Sequence, residues 1–127
     1  MQQLYMNKQF RYLILRINDY QSENMAIYKD KLHDDNILHQ LQKIFAYLEL
    51  TSRADYVPTG FCLAYKPFGE SVNVMMQQDV QEFVSMFFDQ LENKIKDTPF
   101  RKIIDTFYAG KTTNLFSCHD CNQTKKV

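Results

Sequence analysis

Residues 76–95, MQQDVQEFVSMFFDQLENKI, leave the chain the least freedom. Val80, Phe83, Val84, Phe87, Phe88, Leu91 and Ile95 recur at helical spacing. That pattern predicts a helix whose apolar, aromatic face must be buried against other elements. Asp79 stands at the N-cap position, and Glu82 three residues on is placed to complete a capping box, so that carboxylates satisfy the free N–H groups of the first turn. Lys94 and Lys96 lie near the far end, where cations suit the helix dipole. The opening turn is more polar than capping requires, because Gln77, Gln78, Asp79, Gln81 and Glu82 crowd it. Two readings follow: a capped, solvated first turn, or a cluster of amides and carboxylates that holds an extended basic peptide.

A chain of 127 residues is one domain at most and can bury a modest core. Fifteen basic residues balance fifteen acidic ones, which argues against a nucleic-acid or anionic-membrane surface as its main business. Phe and Tyr are plentiful and Gly and Pro scarce, as in a helical, well-packed piece. No apolar run is long enough to span a bilayer, and Gln2, Gln3, Asn7, Lys8 and Gln9 break up any signal-peptide region. Three cysteines, two of them in a C-x-x-C, fit a reducing, intracellular setting better than a disulfide framework.

In chain order, residues 1–19 read as helical in two pieces, with Phe10, Leu13, Ile14 and Ile17 on one face and Arg11 and Arg16 outside. Residues 21–35 are polar and read as a surface linker or insertion. His33 and His39 flank the next helix and are assigned no role. Residues 36–50 form an amphipathic helix with the stripe Ile37, Leu38, Leu41, Ile44, Phe45 and Leu48, capped by Asp34 or Asp35. Pro58 and Gly60 are breakers. Cys62 sits in a short apolar run and reads as a small buried hydrophobe, not a nucleophile. Lys66, Pro67, Gly69 and Glu70 form a turn. Phe100, Ile103, Ile104 and Phe107 predict a short helix stopped by Gly110, and residues 112–116 a strand. Cys118-His119-Asp120-Cys121 can set two thiolates about 3.5–4 Å apart on one tetrahedral zinc, but zinc needs two further ligands. Structural zinc, a redox pair and two unremarkable cysteines all remain open for this half site.

Gln77-Gln78-Asp79-Val80-Gln81-Glu82-Phe83 resembles the Q-x-D-x-x-E-F/L box of the ubiquitin-specific proteases, the cysteine deubiquitinases also called ubiquitin carboxyl-terminal hydrolases. The surroundings follow the family's order. Gln2-Gln3-Leu4-Tyr5-Met6 matches the tail of its nucleophile helix. Leu41-Gln42-Lys43-Ile44-Phe45-Ala46-Tyr47-Leu48 matches L-Q-x-x-F-x-x-L, and Ser52-Arg53, Tyr56-Val57-Pro58 and Phe61 come next. The look is nearest to the large fat-facets-like members. Phe107-Tyr108-Ala109-Gly110 followed by Cys118 and Cys121 matches the opening of the family's zinc ribbon, in which His119 lies too close to its neighbours to be a further ligand.

The resemblance implies a mainly α fold: the helical thumb of a papain-like α+β cysteine protease domain over residues 1–107, and the start of the fingers with half a zinc site over 108–127. It implies that residues matching Gln77, Asp79 and Glu82 grip the extended tail of ubiquitin, which carries two arginines before its glycines. It places the catalytic cysteine before Met1 and the histidine and aspartate or asparagine after Val127, so the expected parent hydrolyses the isopeptide bond after ubiquitin's last glycine and this chain is inactive alone. Expected partners are ubiquitin or ubiquitinated proteins, with no nucleic acid or membrane. A non-catalytic ubiquitin-binding or pseudoprotease module and a plain helical interaction domain are the rival readings.

Overall fold

The computed structural model describes residues 1–17, 36–53 and 55–127. The expectations for residues 21–35, including His33, Asp34 and Asp35, lie outside these. Helices come in the order α1 (Gln2–Met6), α2 (Lys8–Arg16), α3 (Ile37–Leu50), α4 (Thr59–Ala64), α5 (Val80–Ile95) and α6 (Ile103–Tyr108). A hairpin of β1 (Leu115–Ser117) and β2 (Thr124–Lys126) follows. The described part is thus mainly helical with a two-stranded antiparallel sheet.

Asparagines define the starts of two helices. The Asn7 side chain accepts from the Phe10 N–H at 3.1 Å and divides α1 from α2. The Asn36 side chain accepts from the Leu38 N–H at 3.1 Å and starts α3. Asn36, not Asp34 or Asp35, caps α3: the extended backbone of a cap residue falls at position 36, and its side chain meets the free Leu38 donor. On α3 the predicted stripe is buried except for Leu48, which is half exposed near the helix end. Gln40 and Gln42 are buried among it. The Gln42 amide donates to the Ile14 carbonyl at 2.8 Å, which ties α3 to α2.

Gly60 does not break the chain but lies inside α4. A Cβ there would run into the side-chain amide of Gln40, so glycine is what lets α4 approach α3. Cys62 on α4 is half-buried. Beyond α4 the turn Pro67–Gly69 has Phe68 at φ 55° and Gly69 at φ 84°. The Gln90 side chain grips this turn from α5, accepting from the Lys66 N–H at 3.4 Å and donating to the Lys66 carbonyl at 3.2 Å.

Rings in contact run through all the helices. Tyr65 meets Phe83 at 5.0 Å, Phe83 stacks on Phe87 at 5.9 Å, and Phe87 touches Phe88 at 5.8 Å. Phe88 meets Tyr108 at 5.1 Å, Tyr108 meets Phe10 at 5.1 Å, Phe10 meets Phe45 at 6.4 Å, and Phe45 meets Tyr5 at 5.9 Å. Phe87 also reaches Phe61 at 5.6 Å. Edge and offset contacts of this kind add about 0.5–1.5 kcal/mol each beyond area burial. Around them Ile14, Ile17, Leu41, Leu91, Ile95, Ile103 and Ile104 complete one core. Of the α5 stripe, Phe87, Leu91 and Ile95 are fully buried and Phe83 packs at the edge, but Val80 is 74% exposed. The first turn of α5 projects past the helices that cover the rest of its face. Phe68, Val74, Met75 and Met76, just ahead of it, are exposed as well.

Phe87→Ala should remove about 3–5 kcal/mol, a large share of the stability of a domain this size. Val80→Ala should change it by no more than about 0.5 kcal/mol. Urea denaturation followed by circular dichroism measures both; equal effects would mean that the α5 face is not buried as described.

Candidate functional site

Asp79 has extended backbone (φ −68°, ψ 128°) and ends the loop that leads into α5. One of its carboxylate oxygens, Oδ1, accepts from the Gln81 N–H at 2.7 Å and from the Glu82 N–H at 3.0 Å. Capping is thus complete with a single oxygen, and Oδ2 keeps its lone pairs for solvent or a ligand. The capping box does not close. Glu82 supplies a backbone donor to Asp79, but no hydrogen bond or ion pair of its carboxylate is found among the described residues, so it does not reach back to the Asp79 N–H as a capping box requires. Gln77, Asp79 and Glu82 are all exposed. Asp79 and Glu82, three residues apart on the last extended residue and the first helical turn, sit at neighbouring positions on one side of the helix start.

Tyr65, which follows α4, is almost fully buried. Its hydroxyl is pushed above the usual phenol range, first by burial and then by the charge of Glu82. Tyr65 meets Phe83, the residue after Glu82, edge to face at 5.0 Å. Tyr65 and the Gln90 clamp belong to the site's support and went unread in the sequence. Tyr65 closes the short apolar run that holds Cys62, and Gln90 is one polar residue among several on α5, with no spacing signal to distinguish it.

At the other end of the chain, β1 and β2 pair Leu115 with Lys126, Phe116 with Lys125 and Ser117 with Thr124. Cys118 and Cys121 occupy the turn between them, both exposed. Cys118 is held below the usual thiol range by hydrogen bonds from the Cys121 backbone, the Cys121 thiol and the Asp120 backbone, against a smaller effect of burial. Two soft donors on one turn suit zinc. No third histidine, cysteine or carboxylate joins them among the described residues, which therefore offer two ligands and not a complete set. His39 is exposed on α3, remote in sequence from any cysteine.

The family profile described as Ubiquitin carboxyl-terminal hydrolase matches residues 1–126. The chain belongs to that family. Among its curated relatives is Ubiquitin carboxyl-terminal hydrolase 47 of Drosophila melanogaster, 32% identical over 126 residues, which are 98% of this chain and 7% of that protein. Ubiquitin carboxyl-terminal hydrolase 24 of Mus musculus is 28% identical over 120 residues, 94% of this chain and 4% of the relative. Probable ubiquitin carboxyl-terminal hydrolase FAF of Drosophila melanogaster is 30% identical over 99 residues, 73% of this chain and 4% of the relative. The chain thus spans less than a tenth of the length of these family members, and fat-facets-like proteins are among them. No helix among the described residues is long and apolar enough to cross a membrane.

Asp79→Ala should cost about 0.5–2 kcal/mol through the lost cap, whereas Glu82→Gln should stay within about 0.5 kcal/mol. Asp79→Asn, which keeps the capping oxygen, should fall near the parent. Thermal melts of the three variants decide whether the cap rests on Asp79 alone.

Proposed function

We propose that this chain is the ubiquitin-tail-recognition part of a cysteine-type deubiquitinase. In this reading residues 1–107 are the helical thumb and residues 108–127 the root of the fingers. The observation that carries the proposal is the pair of outward carboxylates at the α5 start, Asp79 with one oxygen unengaged and Glu82 with its carboxylate unbonded. Carboxylates on a rigid helix terminus can take guanidinium groups in charge-assisted, bidentate bonds. Each such bond contributes about 1.5–3 kcal/mol when partly desolvated. Gln77 adds an amide beside them, able to bond the backbone of an extended peptide. The tail would be held straight by its two arginines, so that the bond after the last glycine is presented to a thiolate.

That thiolate, its activating histidine and the residue that orients the histidine are supplied from outside residues 1–127. Cys62 does not serve, since it is half-buried on a helix packed into the core. The chain by itself binds and does not cleave. Cys118 and Cys121 hold one side of a structural zinc, with two further ligands from outside this chain. The metal's contribution is to fix the fingers' hairpins together, not to react.

Titration of the labelled 127-residue chain with ubiquitin should shift the amide signals of residues 77–83. Asp79→Asn and Glu82→Gln should each weaken binding by about tenfold or more, which corresponds to about 1.4 kcal/mol or more. Unshifted signals, or variants that bind like the parent, would sink the tail-grip reading and favour a helical module with no ubiquitin contact. For the metal, cobalt titration should give a thiolate charge-transfer absorption that is lost in both Cys118→Ser and Cys121→Ser. Its persistence in either variant would exclude the two-cysteine ligation.

A further inference from the structure

The apolar approach to α5 takes no part in a grip made by carboxylates alone. Val74, Met75, Met76 and Val80 are all exposed, Met75 to 89% and Met76 to 64%. A built turn presents the two methionines. The Asn73 side chain accepts from the Met75 N–H at 3.0 Å, and the Asn73 carbonyl accepts from the Met76 N–H at 3.2 Å. Neither methionine is among the side chains packed against the core. Met76 comes three residues before Asp79, so their Cα atoms are at most about 11 Å apart. An arginine held at Asp79 or Glu82 brings a stem of methylenes as well as its guanidinium. Such stems lie along apolar surface while the head keeps its charged partner. The apolar surface on this approach is that of the two valines and the two methionines. Apolar cover also keeps water from an ion pair, which strengthens it. The valines are chemically inert, whereas a thioether takes up oxygen.

We propose that Met75 and Met76 are a reversible oxidation site: their thioethers flank the arginine stems of the bound tail, and conversion to sulfoxides by a hydroperoxide weakens the grip. The proposal rests on the tail-recognition reading above and adds its regulation. A sulfur lone pair attacks the terminal oxygen of the hydroperoxide, the O–O bond breaks and an S–O bond forms. The proton of the transferred oxygen passes to the departing oxygen, which leaves as an alcohol, or as water when the oxidant is hydrogen peroxide. Sulfur gives up two electrons and the peroxide gains them. In the reverse direction a methionine sulfoxide reductase removes that oxygen as water while a dithiol becomes a disulfide, with one reductase for each sulfoxide epimer. A sulfoxide is polar and holds its own water, so the approach loses both its apolar contact and its dryness. The helices stay in place, because neither side chain packs into them. Met6 on α1, also largely exposed, has the same reactivity without the neighbouring acids and serves as the internal comparison.

The test treats the 127-residue chain with hydrogen peroxide until peptide mapping finds one added oxygen on each of Met75 and Met76 and none on Met86. A thiol reductant then restores reversibly oxidised cysteines, and ubiquitin is titrated before and after. Affinity should fall by roughly threefold or more and return after treatment with both reductases. The double variant Met75→Leu with Met76→Leu is compared only with itself, and its affinity should be the same on either side of the peroxide step. Excess ubiquitin should slow oxygen uptake at Met75 and Met76 but not at Met6. An unchanged affinity in the oxidised parent, an equal loss in the double variant, uptake rates that ignore ubiquitin, or a fall in helical ellipticity would each overturn the proposal. An untreated chain that does not bind ubiquitin removes the tail reading and this proposal together. Binding that survives oxidation removes this proposal and leaves the tail reading standing.

Discussion

The helical part depends on a continuous run of aromatic contacts. From Tyr65 through Phe83, Phe87, Phe88, Tyr108, Phe10 and Phe45 to Tyr5, each ring touches the next, and the run passes through or beside every helix. Short helices such as α1, α4 and α6 could not hold by themselves, because a few hydrogen bonds do not repay helix nucleation. They exist because each brings side chains to a shared apolar interior. The chain has ten Phe and eight Tyr and no Trp, so this interior is built from rings of one size, with aliphatic side chains filling between them.

One end of that run lies under the candidate site. Tyr65 and Phe83 pack together at the base of the first turn of α5, and Gln90 ties the Lys66 backbone to the same helix. The first turn of α5 is therefore exposed but not loose, since its cap is satisfied and its base is packed. A binding group gains from such rigidity, because little side-chain and backbone freedom is lost when a ligand arrives.

Much of this was legible in the sequence, for a physical reason. The period of Phe83, Phe87, Leu91 and Ile95 reports burial directly, and a carboxylate before an apolar run reports a cap. Val80 obeyed the same period and yet is exposed, because periodicity says which face a residue occupies and not how far along the axis the neighbouring helices extend. The cap of α3 went to Asn36 instead of Asp34 or Asp35, since three adjacent side chains are all capable and only the backbone turn chooses among them. Gly60 was misread as a breaker: its lack of Cβ serves a close approach between two helices, which no local pattern encodes. Strand β2 has the sequence TKK, with no apolar alternation, and exists only because β1 and the cysteine turn give its backbone a partner. Buried Gln42 was invisible for a similar reason, as its bond is to the carbonyl of Ile14, twenty-eight positions away.

The hairpin sends no side chain into the interior, and this divides the molecule into two independent thermodynamic accounts. Heating curves read from helical ellipticity report the ring-filled part alone and are blind to whether the hairpin is paired or open. Conversely, a probe placed on the ribbon can change state completely at a temperature where the rest of the chain has not moved.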